Sequence, residues 1–143
     1  DKATITYVYL DESVVQSETK VPQELDWDLT IDLTKDFMTK VIQLKKALSN
    51  PKCLAISPMG DKVDWIMNYD PTSNVNYINL AGTATICKTT QIHGFDANLI
   101  ASIFEANKDF RTATLKISDE QIAWFTFMGE DCEVVYRMRT LNF

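Results

Sequence analysis

The chain has 143 residues, 45% of them hydrophobic and 24% charged, and a formal net charge of −6. The length suits one domain or slightly more, and the composition is ordinary for a globular protein. Apolar runs are only a few residues long, so the sequence predicts neither a membrane-spanning helix nor a signal peptide. Taken alone, the acidic balance disfavours nucleic acid as a partner, because nucleic-acid-binding proteins usually carry an excess of Lys and Arg.

The first part of the chain predicts a strand and then a linker. Residues 3–10 are rich in aromatic and β-branched side chains, which favour a strand. Residues 11–26 are polar, contain one proline and have no sustained periodicity, as is typical of a linker. Residues 27–33 alternate between apolar and polar side chains, which predicts a half-buried strand.

Residues 35–49 follow the period of an amphipathic helix. Thr34 is a suitable N-cap, and Asn50-Pro51 ends the helix because the residue before a proline avoids the helical region. One stripe of this helix is apolar and should pack on the core; it comprises Phe37, Met38, Val41, Ile42, Leu44 and Leu48.

Strands and a second helix are predicted for the rest of the chain. The strands are predicted at 52–58, 62–69, 75–81, 83–92, 111–118, 121–128 and 132–140. Residues 96–107 have helical periodicity with Asp96 as the N-cap, and their apolar stripe comprises Leu99, Ile100, Ile103 and Phe104.

This order of elements occurs twice. A strand, a helix and three strands occupy 27–81, and the same order recurs over 83–140. Residues 54–57 (LAIS) resemble residues 115–118 (LKIS), and a tryptophan follows each, Trp65 and Trp124. We therefore predict an α+β fold of two βαβββ units that form one continuous curved antiparallel sheet with both helices on one face.

Sequence patterns for catalysis and metal binding are missing. His93 is the only histidine; a triad with Asp96 and Ser102 can be imagined, but there is no GxSxG motif. We expect His93 to be a solvated or hydrogen-bonded surface residue. There is no His/Cys cluster, EF-hand spacing or phosphate-binding glycine loop, so we predict no metal, no cofactor and no enzymatic activity. Three cysteines without CxxC spacing favour a reducing compartment.

Positive charge is concentrated in the first helix. Between residues 34 and 50 there are four lysines against one aspartate, a local charge of +3 within a chain of −6. Such a face can contact phosphates, although an ordinary solvated helix face has the same pattern. Lys45 lies at the edge of the apolar stripe, and the other three lysines share the polar face with Gln43. The second helix has no comparable face, and only Lys108 and Arg111 follow it.

The order of elements, the acidic balance and the basic helix together resemble the ring-shaped DNA sliding clamps. The resemblance is greatest to the processivity factors of tailed-phage DNA polymerases, with proliferating cell nuclear antigen (PCNA) as a more distant relative. It is carried by the strand–helix junctions WDLTIDLTKDFMTKVIQL and QIHGFDANLIASIF. It implies that residues 27–143 form the C-terminal clamp domain, and that residues 1–26 comprise the last strand of a preceding domain and the interdomain connector.

The resemblance also implies a function without catalysis. A ring, formed by self-association of the full-length protein, would encircle duplex DNA regardless of sequence and tether the DNA polymerase after a clamp loader has acted, in the cytoplasm of a bacterial host and away from any membrane. The residues expected to face DNA are Lys35, Lys40, Gln43, Lys46, Lys108 and Arg111. Partner peptides are expected to dock beside the connector, at Val14, Val15, Leu25, Leu141 and Phe143.

Two other interpretations remain open. A non-catalytic α+β module that binds a small molecule or a protein would have an apolar cavity between helix and sheet, and no charge difference between its faces. An enzyme would need a polar cluster around His93 or on the acidic face formed by Asp26, Asp28 and Asp32.

Overall fold

The computed structural model describes residues 3–9, 26–48, 50–70 and 78–141. Ten strands and two helices make up this part of the chain. The strands are β1 (Ala3–Tyr9), β2 (Leu29–Leu33), β3 (Cys53–Met59), β4 (Lys62–Met67), β5 (Ile78–Thr83), β6 (Ile86–Cys87), β7 (His93–Asp96), β8 (Thr112–Ser118), β9 (Ile122–Met128) and β10 (Cys132–Arg139). The helices are α1 (Lys35–Ala47) and α2 (Ala97–Asn107). Most of the predicted linker lies outside the described residues.

Both helices begin at the predicted N-caps. The Thr34 hydroxyl accepts a hydrogen bond from the backbone N–H of Phe37 at 3.1 Å. The Asp96 carboxylate accepts two, from the N–H groups of Asn98 at 2.8 Å and Leu99 at 3.1 Å. These three hydrogen bonds satisfy N–H groups that have no partner inside the helix. Helix α1 ends at Ala47, two residues before the predicted end.

The α+β fold class is confirmed, and the hydrogen bonding divides the described strands between two sheets. The six-stranded sheet has the order β1-β10-β9-β8-β2-β6, and the four-stranded sheet has the order β5-β4-β3-β7. Pairing is antiparallel throughout, except that β1 runs parallel to β10. The predicted curved antiparallel sheet is therefore hydrogen-bonded in two parts, which the isolated bridge between Gly94 and Leu141 connects.

The strand orders of the two predicted units correspond. In one unit β5, β4 and β3 lie side by side, and β7 from the other unit completes their sheet. In the other unit β10, β9 and β8 lie side by side, and β2 from the first unit follows them. Each unit therefore contributes the strand that directly precedes its helix to the sheet of the other, which ties the two halves together.

The predicted strand at 83–92 is two short strands in different sheets. β6 pairs with β2, whereas β7 pairs with β3. Gly82 does not interrupt β5, which continues through it to Thr83. A Cβ atom at Gly82 would lie 3.4 Å from the Phe37 ring and 3.5 Å from Trp65 Nε1. These are ordinary van der Waals distances, so the α1 aromatic ring and the β4 indole pack over this strand without requiring a glycine there.

The core lies where both helices meet both sheets. Phe104 of α2 contacts Trp65 of the four-stranded sheet and Phe125 of the six-stranded sheet, with ring centroids 6.3 Å and 5.9 Å apart. Phe95 also contacts Phe125 at 5.8 Å. All four aromatic side chains are buried. They occupy the space where the small-molecule interpretation required a cavity.

Candidate nucleic-acid interface

Helix α1 buries one face and exposes a basic one. Met38, Val41 and Ile42 are buried, as the apolar stripe predicts. Lys40 and Lys46 are exposed on the opposite side. Because residues three and four apart share a helix face, Gln43 lies between these two lysines, and it too is exposed. The predicted polar face is therefore available to a ligand.

Helices α1 and α2 lie side by side and form a groove between them. The groove has a volume of about 430 Å³ and is lined by Ile42, Lys45, Lys46, Ala101, Ser102, Glu105 and Ala106. The α1 side of the groove contributes two cations, and the α2 side contributes a carboxylate. The helical surface is thus basic on one helix only.

Three of the six residues predicted to face DNA are already paired with acids. Lys35 Nζ lies 2.8 Å from Asp109, Lys108 Nζ lies 3.0 Å from Glu105, and Arg111 Nη2 lies 3.0 Å from Glu130; these contacts are exposed or half-exposed. The hydrogen bond and charge of Asp109 raise the pKa of Lys35, and those of Lys35 lower the pKa of the Asp109 carboxyl.

The acid partners reduce the electrostatic attraction between these cations and a phosphate. A neutralised cation contributes little net positive potential. Within the described residues, Lys40 and Lys46 have no ion-pair partner, so the free charge of the predicted interface is concentrated on α1.

His93 is buried, which corrects the expectation of a surface residue. Its side chain is 0% exposed. Nε2 lies 3.0 Å from the Asp119 carboxylate, and Nδ1 lies 3.4 Å from the Thr140 hydroxyl. Asp119 also accepts a hydrogen bond from Thr89, and Thr140 donates one to Gln121. A polar cluster does surround His93, with members other than Asp96 and Ser102, but a substrate cannot reach the buried ring.

Two of the three aspartates of the predicted acidic face make hydrogen bonds within the fold. Asp28 accepts the backbone N–H of Asp119 at 2.8 Å, and Asp32 accepts the hydroxyl of Thr85 at 3.2 Å. Over the described ranges, no three His, Cys, Asp or Glu side chains are placed to hold a metal ion. The same ranges contain no helix that is long and apolar enough to cross a membrane.

Only one residue of the predicted peptide-docking site can be located. Leu141 is 47% exposed, and its backbone pairs with Gly94 through hydrogen bonds of 2.7 Å and 3.3 Å. It therefore lies beside β7 of the four-stranded sheet, shortly after the end of β10 of the six-stranded sheet. The other four residues are outside the described ranges: Val14, Val15, Leu25 and Phe143.

Sequence reasoning missed an aromatic cluster on the face of the six-stranded sheet that points away from the helices. Phe125 contacts α2, so its neighbour Trp124 points to the opposite face. The Trp124 ring packs edge-on against Trp27 at 5.0 Å, and the Arg137 guanidinium lies 4.1 Å from its centroid. This is the geometry of a cation–π contact. Alternation along β9 predicts that Trp124 and Phe125 lie on opposite faces of the sheet. Only the structure showed that Phe125 is the one directed toward the core.

Two bacterial sliding clamps have a similar fold. The DNA polymerase sliding clamp from Caulobacter crescentus matches with a TM-score of 0.64 and 10% identity over 88% of this chain and 32% of that protein. The H. pylori beta clamp, solved in complex with diflunisal, matches with a TM-score of 0.63 and 10% identity over 88% of this chain and 34% of that protein. No protein-family model and no curated protein sequence matches the chain.

The architecture is therefore that of a sliding-clamp domain: α+β, with two adjacent helices packed against antiparallel sheets. The chain spans about a third of the length of each of these two clamps. At this identity the likeness establishes the fold alone.

Proposed function

We propose that the chain is one domain of a DNA polymerase processivity factor, a sliding clamp that encircles duplex DNA and performs no reaction. The observation that most directly supports this proposal is the uneven charge of the helical surface, which is basic on α1 only. Among the described residues, helix α1 holds Lys40 and Lys46 exposed and without acid partners, in a chain of net charge −6. A basic inner surface on an otherwise acidic protein would hold the phosphate backbone loosely and repel DNA from elsewhere.

The position of the chain in the clamp is part of the proposal. We infer that residues 27–143 are the C-terminal domain of a tailed-phage clamp, that the βαβββ units at 27–81 and 83–140 arose by internal duplication, and that residues 1–26 belong to the preceding domain and the connector. The corresponding strand orders of the two halves support the duplication. The full-length protein would close into a ring by self-association.

The remaining partners follow from the same proposal. A clamp loader would place the ring on DNA, and the polymerase would bind by a short peptide beside the connector, near the exposed Leu141. In the cytoplasm of an infected bacterium no membrane would take part. Lys35, Lys108 and Arg111 would contribute less to DNA binding than Lys40 and Lys46, because each is held by a carboxylate.

A double charge reversal on α1 tests the DNA-facing surface. Lys40→Glu with Lys46→Glu should weaken binding of a short duplex, measured by NMR titration at several salt concentrations. The dependence of log K on log salt should lose a slope of roughly 2, because each lysine–phosphate contact contributes about 1. The matched control is Lys62→Glu with Lys88→Glu, which makes the same charge change at exposed lysines outside the helices.

The control should retain most of the affinity, which separates a local contact from the effect of net charge. Equal losses in the two double variants would contradict the proposed surface, as would a wild-type chain that does not bind duplex at low salt. Both variants should unfold at the wild-type urea concentration, since all four lysines are exposed.

A further inference from the structure

We propose that the outer face of the six-stranded sheet, which points away from the helices, binds an acidic segment of a partner protein. The binding side chains form a row across the sheet, which we call the outer row: Lys116, Trp124 and Arg137. The proposal goes beyond the clamp function and involves neither α1 nor duplex DNA. It starts from two observations. The cations of the row have no acid partner among the described residues, and one of them is stacked on the indole.

The outer row is set by the pairing of three neighbouring strands. Trp124 of β9 pairs with Lys116 of β8 on one side and with Arg137 of β10 on the other. Side chains of directly paired residues lie on the same face of a sheet. The row therefore places a cation on each side of an indole, and the two cations are two strand spacings, or about 10 Å, apart.

The positive charges of this face are unpaired within the described part of the chain. No ion pair found there includes Lys116, Arg137 or Arg139, the last of which lies on the same face two residues further along β10. Lys116 and Arg139 are exposed, and Arg137 is half-buried. These three cations stand apart from the acidic balance of a chain whose net charge is −6.

Two acids of the same face are engaged with uncharged groups. Alternation along β2 and β10 places Asp32 and Glu133 on this face. Each accepts a hydrogen bond from a threonine hydroxyl, at 3.2 Å and 3.3 Å, and neither forms an ion pair with the outer row. The cations of the row are therefore complementary to carboxylates that another protein would supply.

Trp124 holds Arg137 in a position that suits a carboxylate. The guanidinium carbon lies 4.1 Å from the centroid of the indole. In the described part of the chain no acceptor binds Arg137 Nε, which is buried. A carboxylate can bind the planar guanidinium fork through two parallel hydrogen bonds. Because the stacked side chain is already ordered, it loses less freedom when it binds.

An acidic polypeptide fits the outer row better than single-stranded nucleic acid does. Proteins bind single strands by stacking bases on exposed aromatic rings along a basic groove. Here Arg137 covers one face of the Trp124 ring, and Trp27 packs edge-on against it at 5.0 Å. The indole surface that a base would need is thus occupied, whereas a carboxylate needs only the cations.

The test is a titration of the full chain with a synthetic acidic peptide, followed by NMR of the Trp124 indole N–H. The probe alternates glutamate and glycine over about ten residues, which is longer than the outer row when extended. It should shift the Trp124 signal at low salt, and binding should weaken as salt screens the exposed charges. The same peptide with glutamine in place of glutamate should bind at least about tenfold more weakly.

A double substitution locates the binding to the outer row. Lys116→Gln with Arg137→Gln should lower the affinity for the acidic peptide about tenfold, because two charge contacts are lost. The matched control is Lys52→Gln with Lys62→Gln, which makes the same charge change at exposed lysines on or beside the four-stranded sheet. Lys116→Gln alone, at an exposed position, should lose affinity severalfold and unfold as the wild type does, so it applies if the Arg137 substitution disturbs the sheet.

Three results would overturn the proposal. The first is a Trp124 signal that the acidic peptide does not move at low salt, and the second is an equal loss of affinity in the two double variants. The third is a deoxythymidine decamer that binds the outer row more tightly than the acidic peptide. None of these results bears on duplex binding by α1, so failure of this inference is distinguishable from failure of the proposed function.

The acids of the predicted linker are the other candidate occupant of the outer row. Four carboxylates can be replaced by amides: Asp11→Asn, Glu12→Gln, Glu18→Gln and Glu24→Gln. We expect this variant to bind the acidic peptide with an affinity less than about tenfold above that of the wild type. A larger gain would show that the chain fills its own outer row and would overturn the proposal of a partner protein.

Discussion

At the scale of single residues, the balance between Lys35 and Asp109 decides how much of the basic helix is available to DNA. The two side chains meet at 2.8 Å, and they are 62% and 77% exposed. Exposed ion pairs contribute little to stability, so this contact matters more for charge than for folding. Because pairing lowers the pKa of Asp109, the ion pair is present at neutral pH and is lost when acid protonates that carboxyl.

Removing the charge of Asp109 should therefore strengthen DNA binding. In Asp109→Asn the Lys35 ammonium loses its carboxylate partner and becomes free for a phosphate. We expect a severalfold tighter duplex complex and a salt dependence steeper by about 1. Glu120→Gln makes the same charge change in the β8–β9 turn and serves as the control in the same titration. If both variants gain equally, net charge and not the release of Lys35 is responsible.

The buried His93 is expected to stabilise the fold. His93→Ala removes both ring contacts, to Asp119 and Thr140, and leaves a cavity in a fully buried position. The free energy of unfolding should fall by about 3 kcal/mol, as buried hydrogen bonds and cavities each contribute one to several kcal/mol. Urea denaturation measures this loss. His93→Gln keeps a polar group and should lose less; a loss below about 1 kcal/mol in the alanine variant would contradict the structural role.

At the scale of elements, the two helices are started by caps of different strength. Asp96 accepts two N–H groups and carries a charge that suits the positive end of α2, whereas Thr34 accepts one N–H group. Thr34→Ala should cost about 1 kcal/mol and Asp96→Ala more, up to about 2 kcal/mol. Thermal unfolding with Ser102→Ala, an exposed change within α2, provides the reference. Equal costs would show that the second hydrogen bond adds nothing.

Strand register explains why Trp65 and Trp124, which occupy corresponding places in the two predicted units, have different environments. In the first hairpin Trp65 pairs with Ile56, and in the second Trp124 pairs with Lys116 instead of Ile117. A shift of one residue moves a side chain to the opposite face of a sheet. Trp65 is accordingly 1% exposed in the core, while Trp124 packs with Trp27 and Arg137 on the face away from the helices.

At the scale of the whole molecule, the two halves are united because each places the strand that precedes its helix in the sheet of the other. β2 lies beside β8 and β7 lies beside β3, so neither sheet belongs to one unit alone. The helices pack over the place where the sheets meet, and Phe104 reaches both. Each unit alone would lose a strand and the aromatic contacts that cross to the other unit. We therefore expect the two halves to unfold together.

Local sequence patterns were sufficient for the elements and the fold class. Alternation of apolar residues identified strands, a 3.6-residue period identified both helices, and Thr34 and Asp96 marked where the helices begin. These signals are local because hydrogen bonding and burial within an element depend on residues that are near in sequence. The lysines of α1 could be assigned to an exposed face for the same reason.

Other features depend on contacts between residues far apart in sequence. The division into two sheets, the burial of His93 and the acid partners of Lys35, Lys108 and Arg111 all fall in this group. The parallel pairing of β1 with β10 joins residues more than 120 positions apart, and no local pattern encodes it. Sequence by itself determined which segments form helices and strands and which faces are apolar. Tertiary structure alone decided which charges are paired and which polar side chains are buried, because both depend on what the rest of the chain brings alongside.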